Sequence, residues 1–270
     1  MSYVYSLSVG VLCAAMLMSK SGFAGEAIPA PRIINGSSTD ISKYPFLVSI
    51  QEKYDGSFHH RCGGTFLSAR KILTAAHCIK TEDGSLYKTE DLQVVSGMTT
   101  LYEGQGQVTQ IADMKVHPNF SFPPYFDVAV ITLTEAVEGF VPVSLATSGP
   151  KTKTDAIVVG WGSIDYFGGT KPVNLLDGDV RINSAAQCRR NLNRYAHPKP
   201  TPYAAVFCAT SKPSNICDGD SGGPVLQRVN GNLVQIGITS ATLDECGGRH
   251  GSGFVRISAK QIESFIRANQ

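Results

Sequence analysis

From residue 46 to the C-terminus the chain is cut into short apolar runs by turn residues, and little in it repeats at a helical period. Runs at 46–51, 92–96, 128–134, 156–159, 233–238 and 253–257 are rich in Val and Ile. Clusters of Gly, Pro, Asn, Asp or Ser stand between them. β-branched side chains are stiff at χ1 and pack well on a pleated surface, whereas these clusters favour turns. A chain punctuated this way buries its apolar side chains by stacking or closing sheets, so barrels or sandwiches are expected. The exception is the C-terminus. There Ile262, Phe265 and Ile266 share one helical face, and Ser258 with Gln261 makes a capping-box pattern. A mostly β chain that ends in a helix over 258–270 is predicted. The polar, turn-rich stretch at 147–154 marks a soft boundary, and no internal repeat is present.

The 270 residues are 42% apolar and 17% charged, enough to bury one large core or two small ones and too apolar for a disordered chain. A formal charge of +2 with no Lys/Arg-rich run argues against nucleic acid and acidic membrane surfaces as partners. Residues 1–24 differ from the rest: a dense apolar stretch at 9–18 precedes Ser19-Lys20-Ser21, then the small residues Gly22 and Ala24. This is the pattern of a signal peptide, although it lacks a basic start, and the stretch is shorter than the roughly 18–20 residues that span a bilayer. An uncleaved anchor is the alternative. Of seven cysteines, Cys13 lies in that segment, leaving Cys62, Cys78, Cys188, Cys208, Cys217 and Cys246. In an exported chain these suggest three disulfides, with all fifteen pairings open on spacing alone. Without CxxC or HExxH patterns no metal site is expected, and the pair His59-His60 reads as a solvated polar loop.

Three short segments carry reactive side chains: Thr74-Ala75-Ala76-His77-Cys78, Phe126-Asp127-Val128-Ala129-Val130 and Cys217-Asp218-Gly219-Asp220-Ser221-Gly222-Gly223-Pro224. A serine hydroxyl is a poor nucleophile at neutral pH and needs a base beside it. Neutral imidazole suits that task, and a buried carboxylate fixes its tautomer and stabilises the imidazolium that forms. Glycines around the serine let backbone N–H groups approach a developing oxyanion. Alone, each segment has an ordinary structural reading as a core His, the start of a strand or a turn. Together, in the order His, Asp, Ser, they are specific.

With these motifs the chain resembles the chymotrypsin-like (trypsin-fold) serine peptidases over residues 33–270. Further motifs follow the family order: Arg32-Ile33-Ile34-Asn35-Gly36, Cys62-Gly63-Gly64-Thr65, Gly160-Trp161-Gly162, and Ser240 after Gly237-Ile238-Thr239. The resemblance implies an all-β fold of two antiparallel six-stranded barrels with a C-terminal helix, the barrels over 33–147 and 148–257. It implies His77 as general base, Asp127 as its orienting carboxylate and Ser221 as nucleophile, with Gly219 and Ser221 N–H groups as the oxyanion hole. It pairs Cys62 with Cys78, Cys188 with Cys208, and Cys217 with Cys246. It calls for no cofactor.

A pro-segment over 25–32 would end at Arg32. Cleavage there gives Ile33 a new ammonium, which in the family enters the protein and pairs with the Asp beside the nucleophile, here Asp220. The residue six before the nucleophile, which lies at the base of the pocket for the side chain preceding the cut bond, is Asn215, with Ile216 beside it. A neutral base gives Arg or Lys no charge partner. Thr242 and Ser252 fall at wall positions that are Gly in open pockets, so a narrowed, elastase-like pocket for Ala, Val or Leu is expected. An enzyme of this preference would not cut Arg32–Ile33 well, so another protease of Arg specificity would activate it.

Several positions depart from the family pattern. Ala241 replaces the usual Trp, Met98 replaces the acid that opens a calcium loop, and Asp218 stands at the pocket mouth. Asn35 and Asn119 open glycosylation sequons, of which Asn35 is too near the inserting terminus to carry a glycan. The reading is a secreted, monomeric endopeptidase acting on proteins or peptides and open to protein inhibitors. Its rival is a catalytically weak or inactive homologue that binds rather than cuts. An esterase fits neither the triad order nor the activation bond.

Overall fold

Asp55 and Gly56 turn the chain back on itself with φ of 51° and 81°, the paired left-handed conformations of a tight hairpin. β2 (Leu47–Tyr54) thereby returns as β3 (Ser57–Ser68). β3 pairs with β4 (Lys71–Thr74), and β4 with β7 (Ala129–Leu133). Next come β6 (Gln107–Val116) and β5 (Leu92–Ser96), and β5 closes the ring on β2 with every pairing antiparallel. The computed structural model describes residues 36–270 except 82, 103, 122–124, 165–170, 195–202, 213, 245, 247 and 249. The expected signal peptide and pro-segment, with Arg32, Ile33 and Asn35, lie outside the described residues.

The second ring runs β8 (Asp155–Gly160), β9 (Leu176–Ile182), β10 (Val206–Ser211), β13 (Ser252–Arg256), β12 (Asn232–Thr242) and β11 (Pro224–Val229), and β11 returns to β8. β1 (Ser37–Ser38) pairs with the stretch of β9 that β10 leaves free. The architecture is thus two closed six-stranded antiparallel barrels. Register shifts at Ile50/Gln51, Phe66/Ser68 and Ile111/Asp113, and at Val225/Leu226 and Thr239/Ala241, bend the strands enough to close them.

Alternation fills each barrel. Val48, Ile50, Phe66, Ile72, Ile131 and Leu133 pack inside the first, and Val158, Ile182, Phe207, Val225 and Phe254 inside the second. A third cluster joins residues from both barrels: Leu47 and Val95 meet Val159 and Leu226 around the fully buried Trp161. This shared core sets the barrels edge to edge.

Among the described residues two α-helices interrupt the β pattern. α1 (Ala185–Arg194) has no strong apolar stripe: its buried residues are Cys188 and Asn191, and a disulfide from Cys188 to Cys208 ties it to β10. The sequence did not announce it for that reason. α2 (Lys260–Asn269) turns Ile262 and Ile266 onto the first barrel's core. It starts two residues later than expected. Ala259 donates its N–H to Arg256 O at 3.2 Å, so 256–259 form a turn, and Ala259 rather than Ser258 occupies the cap position with no side-chain bond.

The loop expected at His59-His60 is also corrected. Both residues lie in β3, and His60 is buried. Its Nδ1 meets Ser49 Oγ at 2.8 Å and its Nε2 meets Gly219 O at 3.0 Å. The residue is buried because the loop carrying Gly219 folds over it. Among the described residues, no helix is long and apolar enough to cross a membrane.

Candidate active site

β4 and β7 run antiparallel with Thr74 opposite Ala129, so the end of one strand meets the start of the other. His77 sits in the short 3-10 turn Ala76–Ile79 just beyond β4, and Asp127 lies just before β7. Phe126 takes a left-handed φ of 51°, uncommon for an aromatic residue, while its ring stacks on His117. That turn points Asp127 inward, where it has no exposed surface.

Three donors surround the Asp127 carboxylate. His77 N donates to Oδ1 at 2.9 Å, His77 Nδ1 lies 2.7 Å from Oδ2, and Ser240 Oγ donates to Oδ2 at 2.6 Å. Burial pushes the Asp127 pKa up, but the charge and hydrogen bonds of His77 and the Ser240 hydroxyl outweigh it and leave the group below its ordinary value. For His77 burial pulls the other way, and Asp127 outweighs it, so its pKa is raised. With Asp127 accepting at Nδ1, a neutral His77 keeps its proton there and Nε2 is the basic nitrogen. Ser240 sits at the β12 register shift between Thr239 and Ala241, where a bulge turns its hydroxyl across to the first barrel.

Ser221 is on the loop between Cys217 and β11. Asp220 N–H bonds Cys217 O at 3.1 Å, Gly222 N–H bonds Thr239 O at 2.8 Å, and Gly63 N–H bonds Ser221 O at 2.8 Å. Gly222 has φ of 76°, and a Cβ there would stand 2.2 Å from Thr74 Oγ1. Only glycine permits that approach, which holds the Ser221 loop against Thr74 and Ala75, just ahead of His77. Among the described residues no hydrogen bond joins Ser221 Oγ to His77 Nε2, which has Cys78 Sγ at 3.9 Å; catalytic hydrogen bonds often tighten only when substrate binds. The N–H groups of Gly219 and Ser221 have no acceptor among the described residues.

Asp220 is buried. It accepts from Gly162 N at 2.9 Å and Cys217 N at 3.0 Å, yet burial dominates and pushes its pKa up to about 7. Gly160 and Gly162 make room for it, since a Cβ on either would lie 2.5 Å or less from the carboxylate.

Asn215 is 1% exposed. Its Oδ1 accepts from Ile216 N at 3.0 Å and from Ser252 Oγ at 2.9 Å, which fixes the amide and leaves Nδ2 with no partner. Ile216 is buried in the second barrel's core. Thr242 lies opposite Ser252 on the neighbouring strand and is half-buried, as are Ser240 and Ala241, whereas Asp218 is exposed. Disulfides join Cys62 to Cys78 beside His77, and Cys217 to Cys246 beside the Ser221 loop. The sulfurs grouped near His77 and Asp218 are in these bonds and offer no thiolate to a metal. Met98 packs in the core shared by both barrels, and Asn119 is exposed. Sequence reasoning missed the Ser49–His60–Gly219 chain and the Ser240 bond to Asp127; the bulge that makes the second leaves no local mark.

Comparison with known proteins agrees with this arrangement. A family model described as Trypsin matches residues 33–266. The chain is 31% identical over 241 residues to Trypsin alpha of Drosophila melanogaster, covering 87% of this chain and 88% of the relative. It is 34% identical over 214 residues to a Trypsin of Saccharopolyspora erythraea, covering 77% and 86%. Hypodermin-B of Hypoderma lineatum is 32% identical over 200 residues, covering 72% and 73%.

Proposed function

The chain belongs to the trypsin family of serine endopeptidases, and we propose that Ser221, His77 and Asp127 cut the peptide bond. Ser221 Oγ attacks the scissile carbonyl carbon while its proton passes to His77 Nε2. The carbonyl oxygen becomes an oxyanion held by the N–H groups of Gly219 and Ser221. The C–N bond breaks as the imidazolium returns its proton to the amine, leaving an ester on Ser221. Water, deprotonated by His77, attacks that ester, and the proton returns to Ser221 Oγ. Asp127 keeps its negative charge and holds the ring. The observation that carries this reading is the buried Asp127 carboxylate bound to both the main chain and Nδ1 of His77.

The chain is a secreted precursor in this reading, its signal peptide removed and its Arg32–Ile33 bond cut by an Arg-specific protease. The freed Ile33 ammonium pairs with Asp220. Support comes from Asp220 itself, a buried carboxyl with no cationic partner among the described residues. A buried charge without a partner is costly, so the pair forms wholly or not at all and orders the Gly219 loop.

The pocket prefers a small or medium uncharged side chain. Ser252 and Thr242 narrow it, and Asn215 Nδ2 offers donors where Lys or Arg would bring more donors. Ala, Val or Leu suit such a pocket. Monomeric action on proteins or peptides, under control by protein inhibitors, completes the proposal.

Limited treatment with an Arg-specific protease, followed by a serine-directed phosphonate probe, tests it. Ser221 is labelled in the cleaved protein. Uncleaved protein, an Arg32→Gln form and Ser221→Ala stay unlabelled. Full labelling of Arg32→Gln defeats the activation step, and no labelling of the cleaved chain defeats the enzyme reading. A peptide-library profile dominated by Arg and Lys overturns the pocket assignment.

A further inference from the structure

None of the residues named in the cleft lines a cavity of about 330 Å³ in the second barrel, set between α1, β10 and the end of β13. Two side chains that line it carry buried donors without an acceptor: Asn183 Nδ2 and Arg256 Nε. Asn183 is 5% exposed. Its Oδ1 accepts from Thr210 Oγ1 at 3.2 Å, which leaves the amide nitrogen as the spare end. Arg256 uses Nη2 on Val206 O at 3.4 Å. Burial lowers the pKa of its guanidinium, and no acidic group offsets this. Among the described residues that line the cavity there is no Asp or Glu.

An unpaired buried donor costs about 1–3 kcal/mol, and more when charged, so native proteins keep few of them. Here two share one cavity. A water molecule supplies lone pairs but no charge to a buried guanidinium. A carboxylate supplies both. Further positive character comes from Arg189, an exposed cation stacked over the Tyr203 ring at 4.7 Å, and from Ala185, the first residue of α1, where the helix presents its positive end. Phe207 and Tyr203 give the cavity aromatic walls, which suit a carboxylate on an apolar body better than a hydrated inorganic anion.

We propose that this cavity is a second, non-catalytic binding site that takes an organic carboxylate, its oxygens on Asn183 Nδ2 and Arg256 Nε. The assignment does not depend on the peptidase reading. The carboxylate arrives either as a free acid or as the acidic side chain of a peptide.

The test is a titration of the full ¹⁵N-labelled chain with benzoate, followed by NMR at the Asn183 amide and the Arg256 Nε–H. Saturable shifts at both groups are expected, with a dissociation constant on the order of 1 mM for so small a ligand. The isosteric neutral benzamide binds at least about tenfold more weakly, because it lacks the charge. Arg256→Gln weakens benzoate by at least about tenfold, and the exposed change Arg189→Gln, which leaves the core intact, weakens it a few-fold. A parallel arm uses the blocked dipeptide acetyl-Phe-Glu-amide. Tighter binding of the dipeptide assigns the site to acidic peptides, and tighter binding of benzoate assigns it to free acids; both support the proposal. No saturable shift with either, an equal response to benzamide, equal affinity for inorganic phosphate, or indifference to both Arg changes overturns it.

Discussion

The two barrels share a strand count and differ in how they treat polar groups. Among the described residues, the first half of the chain leaves two buried side-chain polar atoms without a partner, Thr39 Oγ1 and Thr109 Oγ1. The second half of the chain leaves four: Asn183 Nδ2, Asn215 Nδ2, Asp244 Oδ1 and Arg256 Nε. The first barrel behaves as a rigid mount, and what it contributes to the cleft is the fully bonded pair of His77 and Asp127. The second holds the Ser221 loop, the Asn215 amide and the cavity at Arg256.

The largest test of this division removes one group from each barrel. Ser221→Ala in the cleaved protein lowers kcat by about 10⁶, and Asp127→Asn by about 10⁴, because the imidazole then holds the wrong tautomer. Both changes leave thermal unfolding midpoints close together if the mount is independent of the loop. Peptide hydrolysis measured at saturating substrate decides it. Asp127→Asn with undiminished kcat makes the His77–Asp127 pair a purely structural contact.

A stability comparison comes next. Ile131 is fully buried in the first barrel, and Ile131→Ala costs about 2–5 kcal/mol in denaturant unfolding. In the second barrel Asn183→Leu removes a donor that has no partner together with the acceptor of Thr210 Oγ1, so the two effects offset and the change stays within about 1 kcal/mol. Equal large losses at both sites would show that the second barrel is as tightly satisfied as the first.

That contrast also explains what could be read in advance. The run at 92–96 is a strand with those bounds, since its apolar, β-branched content and flanking turn residues are local signals. The reactive segments and the glycines around Ser221 are likewise local. α1 was hidden because its hold on the barrel is a disulfide and a polar Asn191 rather than an apolar stripe. His60 was misplaced because its cover, Gly219, comes from far along the chain. The spare donors of Asn183 and Arg256 were invisible, since being unpartnered is a property of folded neighbours and not of residue type.

A smaller effect isolates Asp220 in the second barrel. Its folded pKa of about 7 lies above the unfolded value of 3.8, so the folded chain keeps a proton that the unfolded chain has lost. The contribution of Asp220 to the stability of the uncleaved protein therefore falls as pH rises from about 4 to about 7, by up to about 1.4 kcal/mol per pH unit. Buried His60, lowered to about 4, and His117, also lowered, oppose it over that range because they are neutral in the fold and charged when unfolded, so the Asp220 share is read as the difference between two proteins. Asp127, Asp40, Asp83 and Asp155 have lowered values, and their contribution is lost only on acidification. His77 has a raised value and loses its contribution only above 6.5. Asp220→Asn makes stability rise more steeply with pH over this range than in the precursor, and so does cleavage if Ile33 supplies the partner. A slope in the cleaved protein equal to that of the precursor shows that no ammonium has reached Asp220.

The smallest effect probes the one hydroxyl seen to bridge the barrels at the site. Ser240 Oγ donates to Asp127 Oδ2 at 2.6 Å, the same oxygen that holds His77 Nδ1. In Ser240→Ala the carboxylate keeps both bonds from His77, so the ring stays oriented and the loss in kcat is about tenfold, the equivalent of one hydrogen bond to a charged group. The hydroxyl also spreads the charge of Asp127. Without it more of that charge falls on His77, so the pH at which kcat rises should move upward by a fraction of a unit. KM stays near its original value, because the strand backbone that meets substrate is untouched. A tenfold loss in kcat with an unmoved pH profile assigns Ser240 to packing alone, whereas a loss confined to KM places it with the substrate-binding strand and outside the His77–Asp127 unit.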